Sequence, residues 1–118
     1  MVSDSAYEAQ IHCFGDSAEA AERLLSTFPN AYIGITGCIT FDTASALQGI
    51  VKDVIPLSRL LIETDAPYMT PRGFGCTGRV CHPGHCIVVA AKIAELKGLE
   101  LDEVLRAVRE NTTAMYGI

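Results

Sequence analysis

Three features of the 118-residue sequence predict an α/β fold built on parallel strands. Short apolar runs alternate with segments of helical period, Gly and Pro punctuate the junctions, and an apolar fraction of 49% suffices for one core. The run AQIHCF, Ala9 to Phe14, reads as the first strand. Asp16 and Glu19 stand at capping-box spacing and open an Ala/Leu-rich helix that ends near Phe28, before the turn at Pro29 and Asn30. AYIGIT, Ala31 to Thr36, is the second strand, where Gly34 permits close backbone approach. From about Asp42 to Val54, Ala46, Leu47, Ile50, Val51 and Val54 fall at helical spacing, and Pro56 closes that helix. RLLIET, Arg59 to Thr64, is the third strand, and its three consecutive apolar residues suit a strand covered on both faces.

A Gly/Pro-rich loop follows Asp65. Pro83 then stands at a first helical position, GHCIVVAAKIAELKG continues the helix, and Gly98 stops it. The last helix starts near Leu101, carries Leu101, Val104, Leu105, Val108 and Met115 on one stripe, and ends at Gly117. Three parallel strands make a small sheet. A full (β/α)8 barrel takes about 250 residues, so this chain could be less than half of one. A single domain over residues 1–118 is expected.

The net charge of −5 argues against coating nucleic acid by bulk electrostatics. Asp and Glu are nevertheless missing between Ala66 and Cys86, where Arg72, Arg79, His82 and His85 stand. An anion is expected to be met there. The polar start MVSDSAYEAQ lacks the basic and apolar regions of a secretion signal, and no apolar run approaches the ~20 residues of a membrane span. Together with an odd count of five cysteines, this leads us to expect no membrane partner, reduced thiols and a cytoplasmic or nuclear location.

In α/β folds, ligands meet the residues just past the carboxyl ends of the strands. His12, Thr36 and Asp65 stand there. A His and an Asp on one rim suit a divalent metal. His12 could equally be a hydrogen-bonded structural residue, and Asp65 could cap the turn at Ala66-Pro67. Glu63, an acid in an apolar strand, needs a partner or a metal-bound water. Spacing alone thus reaches an α/β protein with a candidate metal site.

The stretch LLIETDAPYMTPRG, with IHCF before it, YIGITG between and HPGH after, resembles the TatD-like metal-dependent deoxyribonucleases. The resemblance runs from about Ala9 to Ile118 and includes the terminal NTTAMYG. It implies the C-terminal portion of a TIM (β/α)8 barrel: three parallel strands with flanking helices, the last three β/α units. It also implies His12 as a metal ligand, Asp65 as a ligand or general base, and Glu63 beside the site orienting ligands or water. The implied activity is hydrolysis of phosphodiester bonds in DNA, commonly from the 3′ end, with Mg²⁺, Mn²⁺ or Zn²⁺ polarising the phosphate. Arg72 would contact phosphate and Tyr68 would stack or hydrogen-bond near substrate, although surface exposure and wall packing explain them as well.

The sequence departs from the family where it matters for catalysis. The family's His-x-His pair, its bridging Glu and a further His have no counterpart among the three histidines His12, His82 and His85. Gly15-Asp16 also stands where the family usually has Thr or Ser. The incomplete metal site leads us to expect a chain inactive alone. A non-catalytic interaction or nucleic-acid-binding module on the same fold is the alternative. Either way, a homo-oligomer or the missing N-terminal half of the barrel would cover the first strand's edge. CTGRVCHPGHC, Cys76 to Cys86, raises the further alternative of a zinc-stabilised module, but its spacing matches no paired zinc pattern. Pro83 instead places His82 and His85 at a helix entrance, where free N–H groups would seat a phosphate. Lys92 and Lys97 read as solvent-facing, and Cys13 and Cys38 as small buried residues.

Overall fold

Alternation along three short strands decides which side chains meet the helices and which meet the opposite side of the sheet. The computed structural model describes residues 8–118 apart from Phe74, Thr77 and Arg79. Strands β1 (Ala9–Ile11), β2 (Ala31–Ile35) and β3 (Leu60–Ile62) form one parallel sheet in that order. Ala9 stands opposite Ala31, and Ile33 opposite Leu60. Ile11, Ile33, Ile35, Leu60 and Ile62 therefore share the face that joins the hydrophobic core. Gln10, Tyr32 and Leu61 share the other, and His12 and Glu63 continue it beyond the strand ends.

Four helices cover the apolar face: α1 (Ala18–Thr27), α2 (Ser45–Asp53), α3 (Cys86–Lys97) and α4 (Leu101–Tyr116). Helix α3 is central. Val88, Val89, Ala90, Ile93 and Ala94 are all buried, so it is apolar around most of its circumference. It packs against α2, α4, β3 and the 3₁₀ turn Gly37–Thr40. Gly98, at φ 65°, stops it in the left-handed conformation that suits glycine. Among the described residues no helix is long and apolar enough to cross a membrane.

Two polar side chains fasten the helices to the sheet. Arg59 donates from Nε to the Ala31 carbonyl at 2.7 Å and from Nη2 to the Phe28 carbonyl at 2.7 Å. It thereby occupies carbonyls at the end of α1 and the start of β2. Asn111 is buried at the third position of the series Val104, Val108, Asn111. Its Nδ2 donates to the carbonyls of Leu57 and Leu60 at 2.9 and 2.8 Å. The expected α4 stripe omitted Asn111 because it is polar, yet its spacing is that of the buried face.

Three expected strands, the helices and their order are present, but several local expectations need correction. The cap of α1 is Ser17, whose Oγ accepts from Ala20 N–H at 3.1 Å, while Asp16 accepts from Ser17 N–H. The first and third strands end at Ile11 and Ile62, earlier than expected, although Glu63 N–H still donates to the Ile35 carbonyl at 2.9 Å. Ala46 is exposed rather than part of the α2 core face. Lys92 and Lys97 are half-buried rather than solvent-facing: Lys92 pairs with Glu95 at 3.2 Å, and Lys97 Nζ donates to the Ile55 carbonyl at 2.7 Å. Long aliphatic stems let both cover apolar surface. Cys13 is exposed and Cys38 half-buried, whereas Cys81 is the buried cysteine.

Asn111→Ala leaves two carbonyls without their donor, and urea unfolding is expected to show a loss of about 2 kcal/mol. A second test concerns Lys97, whose ammonium burial pulls below the ordinary lysine value, with Asp53 opposing. Between that depressed value and the ordinary one, the unfolded chain holds the proton that the folded chain has released. Stability from this group therefore rises as pH rises through that window. Denaturant midpoints measured against pH should show this rise in the native chain and its absence in Lys97→Met.

Candidate metal centre

Glu63 finds the partner that an acid in an apolar strand requires. It follows β3, on the sheet face shared by His12 and Gly34, and its carboxylate crosses β2 to the end of β1. Oε2 accepts from His12 Nδ1 at 2.6 Å, and Oε1 accepts from Cys13 N–H at 2.7 Å. Gly34 makes this crossing sterically available: a Cβ there would lie 1.8 Å from Glu63 Oε1. The close approach expected at this glycine is thus made by a carboxylate rather than by backbone. Cys13 has φ 48°, a left-handed conformation that costs a non-glycine residue about 1–3 kcal/mol. Its N–H bond to the carboxylate helps hold it there.

The pair is asymmetric in exposure. The His12 side chain is 74% exposed and that of Glu63 only 13%. An ionised carboxylate only accepts, so His12 donates from Nδ1, and in the neutral imidazole this leaves the Nε2 lone pair for a ligand. A carboxylate behind the imidazole that fixes the tautomer and orients the ring is how proteins prepare a histidine for a metal. Asp65 lies two residues beyond Glu63 and is exposed. Its backbone carbonyl accepts from Tyr68 N–H at 2.6 Å around the cis Ala66–Pro67 peptide. The turn is therefore closed by main chain, and among the described residues nothing hydrogen-bonds the Asp65 carboxylate.

Imidazole nitrogen and carboxylate oxygen fit a divalent cation in donor chemistry. In number they supply part of a coordination sphere. Among the described residues no group of three His, Cys, Asp or Glu side chains is placed to hold a metal ion.

The His12–Glu63 pair lines a cavity of about 300 Å³ with Gln10, Thr112 and Tyr116, and other rim residues line a separate one. Tyr68, 70% exposed, Arg72 and Phe41 line a cavity of about 560 Å³ together with Met69 and Pro71. The Arg72 guanidinium lies 4.7 Å from the Phe41 ring centroid, and its backbone N–H donates to Thr40 Oγ1 at 2.7 Å. Arg79 lies outside the described residues. His82 and His85 stand at the 3₁₀ turn Pro83–His85 that leads into α3, with ring centroids 3.8 Å apart. The N–H groups there are not free as expected. Gly84 N–H donates to His82 Nδ1 at 3.1 Å and His82 N–H to His85 Nδ1 at 3.2 Å. The two imidazoles cap the turn themselves, leaving their Nε2 edges for any ligand.

Two features escaped sequence reasoning. Phe41, the platform under Arg72, lies 31 positions away with no pattern linking the two. Cys13, Cys38 and Met69 meet around Thr36 Oγ1, again without a spacing signal. Burial pushes the Cys13 thiol up; the Thr36 hydroxyl opposes this, and the nearby Cys38, Asp65 and Glu63 add to it.

A parallel sheet with a carboxylate-held histidine and a second acid at its carboxyl rim defines a segment of a barrel-type α/β protein. The family profile described as TatD related DNase matches residues 2–117, and the chain belongs to that family. It is 36% identical over 113 residues to the human 3′-5′ RNA nuclease TATDN2, covering 95% of this chain and 15% of that protein. To the uncharacterized metal-dependent hydrolase YabD of Bacillus subtilis it is 38% identical over 108 residues, covering 92% of this chain and 40% of YabD. The crystal structure of YjjV, a TatD homolog from Escherichia coli, superposes with a TM-score of 0.80 at 33% identity, over 93% of this chain and 40% of that one. The chain thus spans well under half the length of these relatives.

A double-mutant cycle tests the crossing. Gly34→Ala should expel the carboxylate and destabilise the chain by roughly 1.5–3 kcal/mol, the value of a hydrogen bond to a charged group. In Gly34→Ala/Glu63→Ala most of the added penalty should vanish, so the two effects are non-additive. Additive losses in urea unfolding would disprove the steric link.

Proposed function

We propose that this chain supplies part of the active centre of a divalent-metal-dependent nuclease that hydrolyses phosphodiester bonds in DNA from the 3′ end. The observation that carries the proposal is the carboxylate of Glu63, two residues before the exposed Asp65, holding the exposed His12 ring by Nδ1. Membership of the TatD-related DNase family and the metal-dependent hydrolase relatives support it. The human relative named as an RNA nuclease makes RNA the competing substrate.

In this scheme residues 1–118 form one domain of three β/α units. His12 Nε2 and the Asp65 carboxylate hold the cation, one of Mg²⁺, Mn²⁺ or Zn²⁺. When bound, the metal polarises a phosphate oxygen and lowers the pKa of a coordinated water. Glu63 keeps His12 in the right tautomer and orientation. The Asp65 carboxylate, with no hydrogen-bond partner among the described residues, can also accept a proton from the attacking water. Arg72, Tyr68 and the Nε2 edges of His82 and His85 meet the nucleic acid. Arg72 offers a cation to phosphate, and Tyr68 a face to a base.

His12 and Asp65 are too few to retain a catalytic metal pair, so the chain alone is inactive. The remaining ligands come from further strands pairing at the outer edges of β1 and β3, or from a second copy. A non-catalytic module on this fold is the second reading, favoured by the absence, among the described residues, of three side chains placed to hold a metal ion.

The 118-residue chain alone is expected to leave 3′-labelled single-stranded DNA and RNA intact in each metal. When it replaces the matching segment of human TATDN2, cleavage should appear. In that chimera His12→Ala and Asp65→Asn should abolish cleavage, and Glu63→Gln should reduce it about 10–100-fold, as for other residues that orient metal ligands. Cleavage unaffected by His12→Ala would end the proposal, and relative rates on the two substrates decide between DNA and RNA.

A further inference from the structure

Three sulfur atoms from three separate segments converge on one buried hydroxyl. Thr36, 2% exposed, follows β2. Its Oγ1 lies 3.1 Å from Cys38 Sγ, 3.4 Å from Met69 Sδ and 4.0 Å from Cys13 Sγ. Cys13 Sγ is itself 3.8 Å from Met69 Sδ. The hydroxyl has one proton to donate, so it can donate to only one of these sulfurs at a time, while the Cys13 thiol can itself donate to Met69 Sδ. Among the described residues none of the three has another oxygen or nitrogen partner, and both cysteines are free thiols. Cys13 and Met69 reach the cluster from left-handed backbones, at φ 48° and 57°.

We propose that Cys13, Cys38 and Met69 form a binding site for a soft monovalent cation of the copper(I) class. Two thiolates and a thioether select such an ion and discriminate against Mg²⁺ and Mn²⁺, which require oxygen donors. Metal–sulfur bonds of about 2.3 Å at trigonal angles set sulfurs about 4 Å apart, close to the 3.8 Å between Cys13 and Met69. On binding, the metal replaces the two thiol protons, which pass to solvent. The copper stays monovalent and no electron is transferred. The Thr36 hydroxyl then donates to a thiolate. This site shares no donor atom with the His12 and Asp65 set, and it stands whether or not the nuclease proposal does. The two are joined mechanically, because Cys13 N–H is bonded to Glu63.

The test is an anaerobic titration of the 118-residue chain with copper(I) held by the chromophoric chelator bicinchoninate. The chain should withdraw one equivalent, and X-ray absorption should show sulfur-only coordination. Cys38→Ala and Met69→Leu should each weaken binding at least about tenfold, as loss of one soft ligand implies. His12→Ala and Cys76→Ala/Cys81→Ala should retain it. Met69→Leu preserves volume, so it keeps the test decisive if circular dichroism shows Cys38→Ala to be unfolded. Failure to compete with the chelator, copper binding indifferent to Met69→Leu, or loss of copper in Cys76→Ala/Cys81→Ala would each overturn the proposal.

Discussion

The reach of one carboxylate across a central strand organises this molecule's rim. Glu63 directly follows β3, its partners His12 and Cys13 directly follow β1, and between them β2 contributes a glycine. The orientation of His12 and the hold on the left-handed turn at Cys13 follow from that crossing. Cys13 Sγ in turn lies beside Thr36 and Met69 because the Cys13 backbone is held there. Removing the carboxylate would therefore disturb more than one ligand.

The opposite side of the sheet serves support. Its apolar residues meet helices α1, α3 and α4, and α3 is buried around most of its surface because it touches α2 and α4 as well as the sheet. Fixed hydrogen bonds from Arg59 and Asn111 keep the strand starts and the turn into β3 in place. The polar rim can then project toward solvent without the strands shifting beneath it. One sheet thus separates packing from chemistry by the period-two alternation of its side chains.

Much of this was legible in the sequence because the signals are local. Strand and helix order follows from hydrophobic period and from Gly98, Gly117 and Pro83, which act within their own turns. His12, Glu63 and Asp65 stood out because polar residues at strand ends contrast with their apolar neighbours. What sequence reasoning missed depends on contacts between distant segments. The buried role of Asn111 is set by carbonyls 51 and 54 positions away. Lys97 was misread because its partner is the Ile55 carbonyl, 42 positions distant. The sulfur cluster joins residues 13, 38 and 69, which no periodicity relates. At the α3 entrance the misjudgment was chemical: the histidines placed there to greet an anion were also able to cap the turn themselves.

Strand β2 is the part that carries no reactive group, and it sets a ruler for the part that does. Neighbouring strands lie about 4.8 Å apart, so β1 and β3 are separated by about 9.6 Å. Glu63 and His12 must span that interval between them. An aspartate at position 63 would be one methylene, about 1.5 Å, too short to reach both His12 and the Cys13 N–H. The identity of the acid is thus a measurement of strand spacing, made by a strand whose only entry on that line is a missing side chain.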